Sequence, residues 1–253
     1  GSPVVSAENL NFSEKGVDEA HKKVVMRVKN VLAFYKMYSD ENPKSEILNP
    51  KSINILDKWI SIRLNQLIGE ITEAMDNYKL NEAVRPIGDF VEDLSNWYVR
   101  RSRERFKTDG EDKESATATL RFVLLEFSKA IAPFMPFIAE EVYKELKGEK
   151  ESVHLEEWPE VKKITDEDRK IVEEMKKARD VVSIALEERQ KAGIKVRQPL
   201  ASLNLKDKSL KLKADLLSLK PKMESLKDKS PLVNKKQSDE SDFDAILAGF
   251  EGR

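Results

Sequence analysis

A mainly α fold, an antiparallel helical bundle with a small α+β extension at its C-terminal end, is predicted by three features of this 253-residue sequence. Apolar residues recur at helical spacing in four successive stretches between Val17 and Ile131. Charged residues make up 36% of the chain and Gly numbers only 9, the balance expected of long, solvated helices. Short links punctuated by Pro, Asn or Lys separate the stretches, so consecutive helices should run antiparallel.

Residues 1–16 lack sustained periodicity and read as an extended connector; the opening Gly1-Ser2 reads as an expression scar. The first helix is predicted over Val17 to Tyr38, with Val24, Val25, Val28, Val31, Leu32, Tyr35 and Tyr38 on one side. After Asn42-Pro43 and Asn49-Pro50, the second runs from about Ser52 to Tyr78 on the stripe Leu56, Ile60, Leu64, Leu67, Ile71 and Met75, and Trp59 beside it should be buried. The third spans Asn81 to Lys107, with Asn81 as its expected N-cap and Pro86 expected to kink its first turns. A polar loop is expected from Thr108 to Thr117. The fourth helix then covers about 116–131 on the stripe Leu120, Val123, Leu124, Phe127 and Ile131, breaks at Pro133 and Pro136, and restarts over Phe137 to Leu146 with Gly148 as C-cap. An extended link, Ser152 to Pro159, leads to a long helix from Thr165 to Gly193 whose stripe is Ile171, Met175, Ala178, Val182 and Ala185. Residues 194–205 read as β structure, 206–221 as a Lys-rich amphipathic helix, and 228–253 as an acidic tail without stable structure. The expected division is therefore a connector at 1–16, a bundle at 17–148, a long helix plus small α+β module at 149–227, and the tail.

Composition removes several function classes. There is no Cys, which excludes disulfides, zinc-thiolate sites and Cys nucleophiles. His21 and His154 are too few for most metal sites. No Gly-rich phosphate loop or nucleophile elbow is present. Adjacent acids such as Glu140 and Glu141, or Glu156 and Glu157, read as solvated side chains rather than a catalytic pair. No catalytic residue, metal ligand or cofactor site is thus expected in this chain. No segment is apolar enough to span a membrane and no signal peptide is visible, which favours a cytoplasmic protein. Net charge is −1, so any nucleic-acid reading must rest on local clustering.

One cluster qualifies. In the helix from Asn81 to Lys107 the first two thirds carry the apolar stripe Val84, Ile87, Phe90, Val91, Leu94 and Tyr98, while the last third turns cationic and aromatic. Trp97, Arg101 and Arg105 follow i, i+4, i+8 and should share one side; Arg100, Arg103 and Lys107 flank the adjacent side. Exposed rings stack on unpaired bases while cations hold phosphates, so this pattern points to RNA. The alternative is that Trp97 is core and the arginines pair with acids such as Glu92 and Glu104. Lys195 and Arg197, with the lysines at 206–213, form a second basic region that reads either as RNA contact or as a solvated face.

Six stretches carry a family resemblance: SPVVSAENLNFSEKGVDE (2–19), LDKWISIRLNQLI (56–68), LSNWYVRRSRERF (94–106), AIAPFMPFIAEEVY (130–143), SVHLEEWPE (152–160) and RQKAGIKVRQPLASL (189–203). In this order they resemble the C-terminal part of a class Ia aminoacyl-tRNA synthetase, most closely the isoleucyl type of archaea and eukaryotes. The resemblance implies that 17–148 is an anticodon-binding bundle and that 1–16 belongs to the junction following a catalytic core. It implies tRNA, of the isoleucine-accepting kind, as partner. ATP and Mg would belong to the parent enzyme, because the signatures His-x-Gly-His and Lys-Met-Ser-Lys-Ser are absent here. Family members often read RRSRRRFW where this chain has RRSRERFK, so Glu104 stands in place of a cation. Two other readings stay open. The chain could be a helical protein–protein interaction module that docks through its C-terminal tail, at 209–219 or 243–250, or a piece of an enzyme whose N-terminal half lies elsewhere.

Overall fold

The computed structural model describes residues 13–39, 54–196 and 198. The chain divides into two compact units, Gly1–Thr165 and Asp166–Arg253. Among the described residues every long element is helical and none is a strand.

The first unit contains α1 (Glu14–His21), α2 (Arg27–Tyr38), α3 (Ile55–Asp76), α4 (Leu80–Glu92), α5 (Arg100–Lys107), α6 (Glu111–Ile131) and α7 (Pro136–Glu145). Wide π turns, Lys22–Met26 and Asp93–Val99, join α1 to α2 and α4 to α5. The apolar stripes read from the sequence form one core. Ile60, Leu64, Leu67 and Ile71 of α3, Ile87 and Phe90 of α4, and Leu120, Val123, Leu124 and Phe127 of α6 are all buried. The Phe90 and Phe127 rings meet with centroids 5.1 Å apart. Trp59 is buried as expected.

Local chemistry sets the helix ends, and in places it differs from the expectation. Asn54 caps α3, its side chain accepting from the Leu56 N–H at 2.9 Å. Asn81 is not the cap of α4. Leu80 is already helical and Lys79 occupies the cap position, held by the tight turn that ends α3, while Asn81 accepts from the Glu82 N–H instead. The helix also continues through Pro86. The polar loop expected at 108–117 shrinks to Thr108–Gly110, because Glu111, Asp112 and Glu114 favour the positive end of α6 and extend it backward. The Pro133/Pro136 break is as expected, with Pro136 at the first position of α7, where its missing N–H costs nothing.

Gly148 has a different role from the expected C-cap. Lys147 adopts the left-handed conformation, φ 52°, and Gly148 follows it with its N–H donating to the Tyr143 carbonyl. A Cβ on Gly148 would lie 2.0 Å from the Tyr143 ring, so only Gly fits beneath that ring.

Residues 149–162 then run back over the bundle as a strap. A short 3₁₀ turn, Val153–Leu155, interrupts the extended link expected there. Glu140 accepts from the Ser152 hydroxyl and the Val153 N–H, Tyr143 and Glu156 share a hydrogen bond, Trp158 Nε1 donates to Thr72, and Asn65 exchanges two bonds with the Lys162 backbone. These bonds place 149–165 in the first unit, so the unit boundary falls at Thr165 rather than at 148.

In the second unit α8 (Asp166–Lys191) buries Ile171, Met175, Ala178, Val182 and Ala185, the stripe read from the sequence. It ends at Gly193, φ 67°, with a paired Ile194-to-Arg189 and Gly193-to-Gln190 closure. The β structure expected at 194–205 is not seen at Ile194–Val196 or Gln198, where the backbone turns; its remainder, the 206–221 helix, the tail and residues 1–12 lie outside the described residues.

Candidate nucleic-acid interface

The third predicted helix is three elements, α4, the π segment Asp93–Val99 and α5, and its cationic end is α5. The buried residues show why. Leu94, Tyr98, Ser102 and Phe106 are all buried and each is four residues from the next. In a regular α-helix a step of four overshoots one turn by about 40°. The wider π turn winds less per residue and keeps these four side chains directed inward.

The inner face of this element is anchored by charge. Asp93, buried in the π segment, accepts from Arg63 Nε at 2.9 Å. At the α5 end, Arg105 donates from both Nη atoms to the two Asp57 oxygens at 2.8 Å, and its Nε–H is shared by the Asp112 carboxylate at 2.9 Å. The Tyr98 hydroxyl donates to Asp57 at 2.7 Å. Only 10% of the Arg105 side chain and 1% of the Asp57 side chain are exposed. Burial pulls the Arg105 pKa down, but the bonds to Asp57 and Asp112 outweigh it and the net shift is upward. Burial, reinforced by Asp57, pushes the Tyr98 phenol well above its ordinary value. The node ties α3, the π segment, α5 and α6 together.

This corrects the expectation for Arg105. Its guanidinium is not on an open side of the helix with Trp97 and Arg101; it is held inside the bundle by two carboxylates. The partners are Asp57 and Asp112, not the Glu92 and Glu104 considered from the sequence. Glu92 instead lies 3.9 Å from Arg27.

The outer face is different. Arg100, Arg103 and Lys107 are exposed and, at i, i+3, i+7, lie within about 60° of one another around the helix. Among the described residues neither Arg100 nor Arg103 makes an ion pair. Lys107 pairs with Glu104 at 3.0 Å, both side chains well exposed. Such a surface pair contributes about 0–1 kcal/mol, so a phosphate can compete for the lysine. Trp97 and Arg101 are half-buried beside this row. Burial, then the neighbouring Arg100, lowers the Arg101 pKa.

Sequence reasoning missed two participants. Phe34 and Tyr38 of α2, both half-buried, pack beside α5, and the Arg103 guanidinium lies 5.9 Å from the Phe34 ring centre. The sequence reading places Tyr38 on the apolar side of the first helix and singles out no role for Phe34.

Of the second basic region, Lys195 is exposed just beyond α8, and Arg197 lies outside the described residues. The turn around Lys195 is gathered by Arg189, whose Nη2 donates to the carbonyls of Lys195, Val196 and Gln198. The described residues hold no cluster of metal-ligating side chains and no helix long and apolar enough to cross a membrane. Glu140 and Glu156, considered above as solvated acids, hold the strap.

Residues 57–205 match the family model described as the anticodon-binding domain of tRNA ligase. The isoleucine–tRNA ligase of Chlamydia trachomatis serovar D is 45% identical over 212 residues, covering 80% of this chain and 20% of the relative. Those of Chlamydia pneumoniae and Chlamydia abortus are 42% and 41% identical, each covering 79% of this chain and 20% of the relative. The chain therefore spans about one fifth of the length of the curated relatives it matches. With its helical bundle and its cationic outer row, the chain belongs to the anticodon-binding domain family of tRNA ligases, in the part of that family found in isoleucine–tRNA ligases.

Proposed function

We propose that this chain is the tRNA-binding part of an isoleucine–tRNA ligase. Its bundle holds isoleucine-accepting tRNA so that a catalytic region outside this sequence can attach isoleucine with ATP and Mg. The observation that carries this reading is the exposed row Arg100, Arg103 and Lys107 on a helix fixed from behind by the Arg105–Asp57–Asp112 node. A rigid cationic row beside half-buried aromatic side chains suits ribose-phosphate with unpaired bases. Within this function no residue of the chain acts as an acid, base or nucleophile. The residues position; the chemistry belongs elsewhere.

The test is a titration of the full chain with isoleucine-accepting and valine-accepting tRNA transcripts at two salt concentrations. Single-stranded contacts lose affinity with a log–log slope of about 0.7 per phosphate. The row can make up to three such contacts, a slope of up to about 2, and the isoleucine-accepting transcript is expected to bind more tightly. Binding to neither transcript at low salt contradicts the reading.

A further inference from the structure

We propose that Arg103, backed by Phe34, forms a stacking platform for an unpaired nucleobase of the bound RNA. This rests on the tRNA-binding reading above and gives one position in it a specific ligand chemistry.

The platform is built from two elements. Phe34 and Tyr38 sit one turn apart at the end of α2, with ring centroids 4.8 Å apart. Phe106, buried on the inner side of α5, meets Phe34 nearly edge-on at 5.0 Å and 79°, and lies 6.3 Å from Tyr38. The three rings fix one another, so Phe34 cannot turn away without losing an aromatic contact. Arg103 emerges from the opposite face of α5 from Arg105 and brings its guanidinium carbon to 5.9 Å from the Phe34 ring centre. The residue is exposed, and Phe34 and Tyr38 are partly so.

A guanidinium held over a ring presents a flat, cationic surface. Unpaired bases stack on such arginine planes, whereas a lysine offers only a point charge. Lys107, one turn further along the same row, is placed to hold the phosphate that follows the stacked base. The two roles separate the row: Arg100 and Lys107 contact backbone, and Arg103 contacts a base. An acidic protein partner would need the charges of this row but not the planar group or the ring beneath it.

Two substitutions isolate the platform. Arg103→Lys keeps the charge and removes the plane; Phe34→Leu keeps an apolar side chain and removes the ring. Full chain is titrated at fixed salt with tRNA transcript and with oligoadenylate and oligouridylate of equal length. Wild type is expected to bind oligoadenylate more tightly than oligouridylate, because purines stack more strongly. Each variant is expected to bind transcript at least fivefold more weakly, with the salt slope unchanged and the preference for oligoadenylate reduced. Thermal unfolding checks that the variants are folded; Arg103→Lys, at an exposed position, carries the test if Phe34→Leu is unstable. Wild-type affinity in Arg103→Lys, with no preference between the oligonucleotides, overturns the platform. If Arg100→Glu still weakens binding in that case, the tRNA-binding reading stands without the platform. If wild type binds acidic polypeptide but no RNA, both fall.

Discussion

Arg103 and Arg105 are two residues apart on the same helix, in the same cationic run, and do opposite work. Arg105 is enclosed by Asp57 and Asp112 and joins α3, α5 and α6. Arg103 is exposed, lies over the Phe34 ring at 5.9 Å from its centre and lacks a carboxylate partner among the described residues. The difference between the inner node and the outer row comes from acids elsewhere in the chain, 48 and 7 residues from Arg105, and not from the run itself. A basic segment is thus two populations, and only the outward-facing one is available to a polyanion.

The sharpest way to break this contrast is to remove each arginine in turn. Arg105→Ala leaves a buried Asp57 carboxylate without its counter-ion, which costs about 3–5 kcal/mol. Chemical denaturation should show that loss, and in a chain of this size the thermal midpoint should fall by about 10 °C. Arg103→Ala, at an exposed position, should stay within about 0.5 kcal/mol of wild type. Equal losses at the two positions would erase the distinction.

The strap offers the same contrast in steric form. Gly148→Ala would drive a Cβ into the Tyr143 ring and should destabilise by about 1–3 kcal/mol, whereas Gly88→Ala, with nothing within 4 Å, should be neutral or stabilising. Denaturant midpoints of the two variants decide it.

The smallest expected effect concerns adjacent acids. Lys144, aided by the Val153 N–H and Ser152 hydroxyl, holds Glu140 down at about 2, against 4.5 for the unperturbed group. Its contribution is therefore complete above pH 4.5 and lost as pH falls toward 2. Glu140→Gln should flatten the pH dependence of stability between those values. Glu141→Gln removes only a surface ion pair with Lys29 and should change stability at neutral pH by no more than about 1 kcal/mol. A Glu140→Gln curve as steep as that of the wild type would remove Glu140 from the strap's support.

Much of the bundle was legible because burial follows helical periodicity. The stripes of α3, α6 and α8 are buried apart from the half-buried Met75, and the two prolines at 133 and 136 mark a real break. Other features depend on partners that periodicity does not carry. The wide turn at 93–99 is betrayed only by the repeated step of four from Leu94 to Phe106, which resembles ordinary helical spacing at first sight. Asn81 has the chemistry of a cap but lies two residues past the tight turn that places Lys79 there. Of the predicted RNA-facing residues, Arg100, Arg103 and Lys107 occupy one exposed side as the spacing indicates. Arg105 shares their composition and not their environment, because Asp112 falls in a stretch that reads as loop and becomes the first turn of α6. Phe34 and Tyr38 were hidden for the converse reason: a ring at the edge of a core stripe looks the same in sequence whether it is covered or half-open.

The most direct measurement is the dissociation constant for isoleucine-accepting tRNA at fixed salt, for wild type and for the double variant Arg100→Glu/Arg103→Glu, with thermal unfolding of both. At least a tenfold loss of affinity with an unchanged unfolding midpoint is expected. Unchanged affinity in a folded double variant would contradict the assignment of the outer row to RNA.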